Sequence, residues 1–217
     1  MSDTKFEAVI FDCDGTLVDS EKVSIAVLVE YVGRFGFQID LAEALARWAG
    51  GELPKVFAQI QADLHAPLPP DHIDQFRQLQ MARLATDVEG IEGAYELVAG
   101  IQVPFCVASN APLNKVELCL ETSGLSPFFP VERRFSAYCI QRWKPKPDLF
   151  LQAAQALNVP ATKTCAVVED SLYGIEAGRR AGMHVFAFDP HGTLELPDDV
   201  DRVTSLQELQ THFHPGN

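Results

Sequence analysis

A short apolar run that leads into two aspartates, two residues apart, constrains this chain more than any other feature. Residues 8–11 are apolar, and their length and composition predict a buried strand. Asp12 and Asp14 follow at once, and Gly15 frees the turn around them to adopt a positive φ. Open α/β sheets bind their ligands at the carboxyl ends of the strands. The segment therefore predicts a ligand site built on this turn.

Composition limits the partners that such a site can have. The chain has 217 residues, 47% of them hydrophobic, which is enough to bury a sizeable core. Its formal net charge is −13, which argues against broad electrostatic attraction to nucleic acid or to an anionic membrane. We therefore expect neither as a partner. An anionic substrate would require a locally positive pocket or a bound cation.

The cysteines and the apolar segments indicate the compartment. The five cysteines are scattered singly and form no C-x-x-C pair, which is typical of a reducing environment. Residues 2–5 are polar, and the first five residues lack the hydrophobic stretch of a signal peptide. No segment is long and apolar enough to cross a membrane. We expect a soluble, cytoplasmic protein that is a monomer or a weak homo-oligomer.

Strands and helices alternate in the second half of the chain. Apolar runs predict strands at residues 103–108, 165–168 and 184–188, with helical patterns between them. Such alternation predicts an α/β fold with a doubly wound parallel sheet. Residues 1–17 and 88–217 would form this α/β core.

The block between the first two strands is too long for an ordinary crossover. It contains helical patterns, such as the apolar stripe Ile25, Leu28, Val32 and Phe35, and no convincing strand. We expect residues 18–87 to form an inserted all-helical cap domain over the carboxyl ends of the strands, with hinges near Val18 and Val88. Trp48 and Phe57 are expected in its core.

Polar residues follow the later strands as well. Ser109 and Asn110 end the second strand, and Glu169 and Asp170 end the strand at 165–168. Lys144 precedes a predicted helix. In a parallel sheet these positions open on the same edge as Asp12 and Asp14, so a hydroxyl, an ammonium and several carboxylates are expected to converge there.

With these motifs the chain resembles a haloacid dehalogenase-superfamily phosphohydrolase of the helical-cap subfamily, similar to β-phosphoglucomutases and phosphoglycolate phosphatases. The motif Asp12-x-Asp14-Gly15-Thr16 is very specific for this superfamily. The serine, lysine and acidic motifs are weak indicators individually, and it is their order and spacing along the chain that make the set specific. The resemblance covers nearly the whole chain. It implies a Mg²⁺-dependent phosphatase acting on a small phosphorylated metabolite, such as a sugar or sugar-acid phosphate.

The resemblance also implies a role for each motif residue. Asp12 would attack phosphorus and form an aspartyl-phosphate, and Asp14 would act as general acid and then as general base. Asp12, the Asp14 backbone carbonyl and Asp170 would bind Mg²⁺. Glu169 is left open as a metal ligand, a water-mediated contact or a residue that shapes the turn.

Substrate binding is assigned to a second set of residues. Ser109, Asn110 and Lys144 would bind the substrate, with Ser109 and Lys144 on the phosphoryl oxygens. Many relatives have glycine immediately before the motif lysine, whereas this chain has Trp143, which we expect to pack under the loop. The cap's polar candidates for substrate contact are Arg47, Lys55, His65, Arg77 and Arg83.

Three alternatives remain open. A β-phosphoglucomutase-like isomerase usually carries a cap arginine after a glycine, and residues 49–55 lack it, although Lys55 could substitute. A phosphonate hydrolase would need a cap lysine as a Schiff base, for which Lys55 and Lys22 are candidates. The third alternative is a non-catalytic phosphate-binding module.

Overall fold

A computed structural model describes residues 6–49, 51–64, 67–159 and 162–213. The chain divides into two compact units, one of Met1–Val18 with Gly90–Asn217 and one of Asp19–Glu89. The sequence-based expectation put these two boundaries one and two residues earlier. We refer to the first unit as the core unit and to the second as the helical unit.

The core unit is built on a six-stranded sheet within the described residues. Its strands are β1 (Ala8–Phe11), β2 (Phe105–Ser109), β3 (Arg134–Ser136), β4 (Cys165–Glu169), β5 (His184–Phe188) and β6 (Asp201–Val203). The strand order is β3-β2-β1-β4-β5-β6, and every neighbouring pair is parallel. The predicted doubly wound parallel sheet is thus confirmed. The order reverses beside β1, and such a switch point is where open α/β sheets bind ligands.

The central strands are apolar because both faces of the sheet are covered. All residues of β1, β2 and β4 are buried, and Ile10 pairs with Cys106 on one side and with Val167 on the other. Strands buried on both faces form continuous apolar runs of this kind. The start predicted for β2 at residue 103 is two residues early. Pro104 explains the difference, since it has no N–H to donate to a ladder.

The helical unit contains four helices in its described residues. They are α1 (Ser20–Gly33), α2 (Leu41–Trp48), α3 (Leu53–Asp63) and α4 (His72–Asp87). Their apolar faces enclose a separate hydrophobic core in which the rings of Tyr31, Phe57 and Phe76 contact one another. Trp48 also lies in this core, so the core assignment of Trp48 and Phe57 is confirmed.

Further helices flank the sheet of the core unit. They are α5 (Ala94–Gly100), α6 (Leu113–Thr122), α7 (Ala137–Ile140), α8 (Asp148–Ala156), α9 (Leu172–Arg180) and α10 (Gln210–Phe213). Phe150 of α8 and Ile175 of α9 pack with Ile10 and Val167 of the sheet in one apolar cluster. A 3₁₀ helix over Leu206–Leu209 leads directly into α10.

The turn after β1 is tied back to itself and to the returning chain. Gly15 has φ +86°, and its N–H donates to the carbonyl of Val18 at 2.9 Å. Val18 also forms a β-bridge with Gly90, and the N–H of Ile91 donates to the carbonyl of Leu17 at 2.9 Å. The segments that leave and re-enter the core unit are therefore paired side by side, next to the two aspartates.

Candidate active site

Asp12 lies at the carboxyl end of β1, between β2 and β4. Its N–H donates to the carbonyl of Val168 at 2.9 Å, which extends the ladder by one residue and fixes the backbone. Its side chain is buried and accepts a hydrogen bond from the Nζ of Lys144. Lys144 Nζ also donates to Glu169 Oε1 at 2.7 Å. A buried ammonium group thus bridges two buried carboxylates at the switch point of the sheet.

The protonation of this cluster follows from burial and charge. Burial raises the pKa of Asp12 to about 7, and the charges of Glu169 and Asp14 add to the effect while Lys144 opposes it. Burial alone would lower the pKa of Lys144. The adjacent carboxylates of Asp12 and Glu169 outweigh that effect and hold the pKa above its usual range, so Lys144 is charged.

Glu169 is the last residue of β4, and both of its carboxylate oxygens are engaged. Oε2 accepts hydrogen bonds from the N–H and the hydroxyl of Ser171, both at 2.8 Å. Gly174 lies so close that an added Cβ would be 1.6 Å from Oε1. Only glycine leaves room for the carboxylate there. The visible contacts of Glu169 therefore orient Lys144 and shape the start of α9.

Asp170 lies against the turn that carries the first motif. Its Oδ1 accepts a hydrogen bond from the hydroxyl of Thr16 at 2.9 Å. A Cβ on Gly15 would lie 2.2 Å from Asp170 Oδ2, so the motif glycine permits this close approach as well as its positive φ. Burial, with the charges of Glu169 and Asp12, raises the pKa of Asp170 well above its usual value.

Ser109 and Asn110 use their side chains differently. Ser109 Oγ accepts from the N–H of Ala111 at 3.0 Å and lies 3.4 Å from Asp14 Oδ2, to which it can donate. The Asn110 side-chain amide forms two hydrogen bonds with the backbone of Lys144. Its Oδ1 accepts from the Lys144 N–H at 2.9 Å, and its Nδ2 donates to the Lys144 carbonyl at 3.3 Å. The visible contacts of Asn110 thus position the lysine.

Lys115 belongs to this site, although the sequence analysis missed it. Its Nζ donates to Asp14 Oδ1 at 2.7 Å. Burial alone would lower its pKa, but the charge of Asp14 more than compensates, so Lys115 is also charged. The sequence pointed to Lys115 only indirectly. Because α6 begins at Leu113, soon after Ser109 at the end of β2, the first turn of α6 lies beside the same edge of the sheet.

Trp143 and the charged candidates of the helical unit lie at the surface. Trp143 is 38% exposed and stacks edge-on with Tyr138, so the expectation that it packs under the loop is wrong. Arg77 is exposed. Exposed ion pairs hold the other three described candidates, Arg47 to Asp63, Lys55 to Glu52 and Arg83 to Glu30. His65, and Gly50 of the 49–55 stretch, lie outside the described residues.

The donor set fits a divalent cation. Among the described side chains at this edge, the carboxyl groups of Asp12, Asp14, Glu169 and Asp170 outnumber the ammonium groups of Lys115 and Lys144 by four to two. Hard cations prefer oxygen ligands of this kind. No group of three or more metal-ligating side chains is found in the described part of the chain. A set of two carboxylates and a backbone carbonyl is consistent with that result.

The fold agrees with a family comparison. Residues 6–182 match the model of the haloacid dehalogenase-like hydrolases. The chain therefore belongs to the haloacid dehalogenase-like hydrolase family. No helix within the described residues combines the length and apolar character needed to span a bilayer.

Individual relatives cover nearly the whole chain. The 6-phosphogluconate phosphatase of Escherichia coli K12 is 37% identical over 95% of this chain and 94% of its own length. A phosphonoacetaldehyde hydrolase of Vibrio cholerae serotype O1 is 31% identical over 84% of this chain and 74% of its own. The crystal structure of a haloacid dehalogenase family hydrolase from Deinococcus radiodurans R1, with bound phosphate and sodium, superposes with TM-score 0.81 at 28% identity, covering 98% of this chain and 100% of that one.

Proposed function

We propose that this protein is a Mg²⁺-dependent phosphatase that hydrolyses a small phosphomonoester through an aspartyl-phosphate on Asp12. The observation that carries the proposal is the buried contact of Lys144 with Asp12 and Glu169 at the switch point of the sheet. A charged lysine beside a buried carboxylate offers both a nucleophile and a countercharge for the phosphoryl group. The phosphatase relative and the phosphate-bound neighbour support the same reading.

Phosphoryl transfer depends mainly on positioning and on neutralising negative charge. Lys144 would hold one phosphoryl oxygen by its ammonium, and Ser109 would donate a hydrogen bond to another. Asp12, Asp170 and the backbone carbonyl of Asp14 would hold the cation. Bound there, Mg²⁺ would supply positive charge that offsets the repulsion between the Asp12 carboxylate and the phosphate.

The chain's own residues would divide the chemistry into two steps. In the first, an Asp12 oxygen bonds to phosphorus, the bond to the leaving oxygen breaks, and Asp14 gives that oxygen a proton. In the second, Asp14 takes a proton from a water molecule that attacks the aspartyl-phosphate. This step releases inorganic phosphate and restores the Asp12 carboxylate.

We infer a sugar or sugar-acid phosphate as the substrate, because the E. coli relative is a 6-phosphogluconate phosphatase. A phosphonate hydrolase acting through a Schiff base needs a lysine deprotonated by its surroundings. Lys55 instead forms an exposed ion pair with Glu52 at 2.6 Å, which disfavours that role for it. We also propose that the enzyme is cytoplasmic, since all five cysteines are free thiols. Its expected state is a monomer or a weak homo-oligomer.

A phosphate-release screen tests the proposal. Purified protein is offered 6-phosphogluconate, hexose 6-phosphates, β-glucose 1-phosphate and phosphonoacetaldehyde, each with Mg²⁺ and with a chelator. We expect phosphate release from a sugar or sugar-acid phosphate, lost with the chelator. We expect Asp12→Asn to lower the rate by at least about 10³-fold, because the nucleophile is removed.

The products separate the alternatives. Isomerised sugar phosphate that appears only with a bisphosphate activator would indicate a mutase. Phosphate release from phosphonoacetaldehyde that is abolished by borohydride only when that substrate is present, while the hydrolysis of phosphate esters is not, would indicate a Schiff base. Binding of phosphate esters without either product would indicate a phosphate-binding module and overturn the proposal.

A further inference from the structure

The two ammonium groups of the site hold different carboxylates. Lys144 contacts Asp12 and Glu169, whereas Lys115 contacts Asp14 Oδ1 at 2.7 Å. The two lysines come from different parts of the core unit, since Lys144 precedes α8 and Lys115 lies in the first turn of α6. Asp14 is therefore held by α6, whereas Asp12 is held by Lys144 from the loop before α8.

The contacts of Asp14 distinguish its two oxygens. Oδ1 accepts from Lys115, and Oδ2 lies 3.4 Å from Ser109 Oγ, the hydroxyl expected on a phosphoryl oxygen. The side chain of Lys115 is 19% exposed, so its ammonium is poorly solvated and the ion pair is only weakly screened. One oxygen of the carboxylate is thus anchored by charge, and the other faces the expected phosphoryl position.

We propose that Lys115 is a positioning residue that anchors Asp14 through Oδ1, so that Oδ2 is the oxygen that exchanges the proton in both steps. The inference rests on the proposed phosphatase reaction. Oδ2–H gives its proton to the leaving oxygen as the ester bond breaks. Oδ2 then takes a proton from the attacking water, the water oxygen bonds to phosphorus, and the bond from phosphorus to Asp12 breaks. Lys115 keeps its own proton throughout and touches neither substrate nor phosphorus.

A substitution series at Lys115 tests this role. Lys115→Met removes the anchor and keeps an unbranched chain of similar length. We expect kcat to fall by about 10- to 100-fold, the order of loss that follows from a small misplacement of a catalytic group. KM should change by less than about threefold, because the residues expected on the phosphoryl group remain. Lys115→Arg restores the charge and should recover part of kcat at unchanged KM.

The control is Lys163→Met, which removes an exposed positive charge from the same unit, away from the site. It should leave kcat and KM unchanged. If Lys115→Met does not fold, Lys115→Gln and Lys115→Arg give the same comparison, because only Arg keeps the charge. A Lys115→Met or Lys115→Gln enzyme with the kcat of the wild type, or one impaired only in KM, would overturn the inference.

A second measurement needs no turnover. Crystal structures of the wild type and of Lys115→Met should differ in Asp14, whose carboxylate should leave its position beside Ser109 or become disordered. An Asp14 that stays in place without Lys115 would refute the positioning role even if the wild type hydrolyses nothing. Conversely, a wild type that is inactive on every ester refutes the phosphatase while the Asp14 position still reports on Lys115.

Discussion

The core unit has buried as well as exposed ion pairs, whereas the ion pairs described for the helical unit are all exposed. In the core unit, polar contacts join residues far apart in the sequence, such as Lys144 with Asp12 and Lys115 with Asp14, and the groups are buried or nearly so. In the helical unit, the ion pair of Arg47 with Asp63 has side chains 39% and 50% exposed. Both units have well-packed apolar cores, but among the residues that the structure describes only those of the core unit form a buried network of charges.

Buried charges generally do not increase the free energy of unfolding enough to explain their presence by stability alone. Removing ions from water is expensive, and a buried pair is often no more stabilising than apolar side chains of the same volume. A cluster of four carboxylates and two lysines at one sheet edge therefore indicates function. The exposed pairs of the helical unit, by contrast, are the ordinary charges of a solvated surface.

Among the tests of this difference between buried and exposed charges, the largest loss of activity is expected from substitution of Lys144. Lys144→Met should lower kcat/KM by about 10²- to 10³-fold, as when one donor to a developing charge is lost. Lys146→Met is the matched control, because Lys146 is exposed on the same loop two residues away. Steady-state kinetics on the best substrate of the screen measures both. Similar kinetics for the two variants would mean that the buried lysine has no special role.

The second test concerns the stability of the metal-free protein between pH 6 and 8. The native pKa of Asp12 is raised to about 7, mainly by burial, from an ordinary value of 3.8. In this window the native state therefore binds a proton that the unfolded chain has already lost, and stability falls as pH rises through 7. The raised pKa of Asp170 acts in the same direction.

We expect a loss of roughly 1 to 2 kcal/mol from pH 6 to pH 8 in the presence of a chelator, measured by urea unfolding. Asp12→Asn should flatten this dependence, because it replaces the titrating group with a neutral one of the same shape. Added Mg²⁺ should flatten it too. A wild type that becomes more stable as pH rises, while Asp12→Asn does not, would contradict the raised pKa assigned to the buried Asp12 carboxylate.

Sequence reasoning located most of this site because strand ends are local signals. An apolar run followed by Asp12, or by Glu169 and Asp170, predicts both a strand and the edge at which it ends. The parallel sheet then brings those edges together without any knowledge of side-chain contacts. The fold class was predictable for the same reason, since the alternation of runs is visible along the chain.

What sequence reasoning missed depends on which way a side chain points from a helix or loop. Lys115 looks like any lysine in an amphipathic helix, and only the packing of α6 brings it to Asp14. The contacts of the Asn110 amide with the Lys144 backbone were also not indicated, because they depend on a turn that no pattern specifies. The sequence around Trp143 has no apolar periodicity that would show whether the ring is buried. In the structure it lies at the surface and contacts the ring of Tyr138.

A smaller effect is expected at Asn110. Asn110→Ala removes both contacts with the Lys144 backbone and should lower kcat/KM by about 10-fold, through a less well-held lysine. Amide hydrogen exchange at Lys144 should become faster at the same time. Asn114→Ala, at an exposed position of α6, is the control. A rise in KM with unchanged exchange would instead favour direct contact between Asn110 and the substrate, as the sequence suggested.

The smallest effect is expected in the helical unit. Arg47 and Asp63 lie 2.9 Å apart on an exposed surface, so a double-mutant cycle with Arg47→Ala and Asp63→Ala should give a coupling energy of at most about 1 kcal/mol. The coupling energy should decrease further in about 0.5 M salt, because the Debye length is then only a few ångströms. The corresponding cycle of Lys144→Met and Glu169→Gln should give at least about 1.5 kcal/mol and resist salt, because both groups are buried. Equal coupling energies in the two cycles would remove the distinction between a buried functional network and a solvated surface.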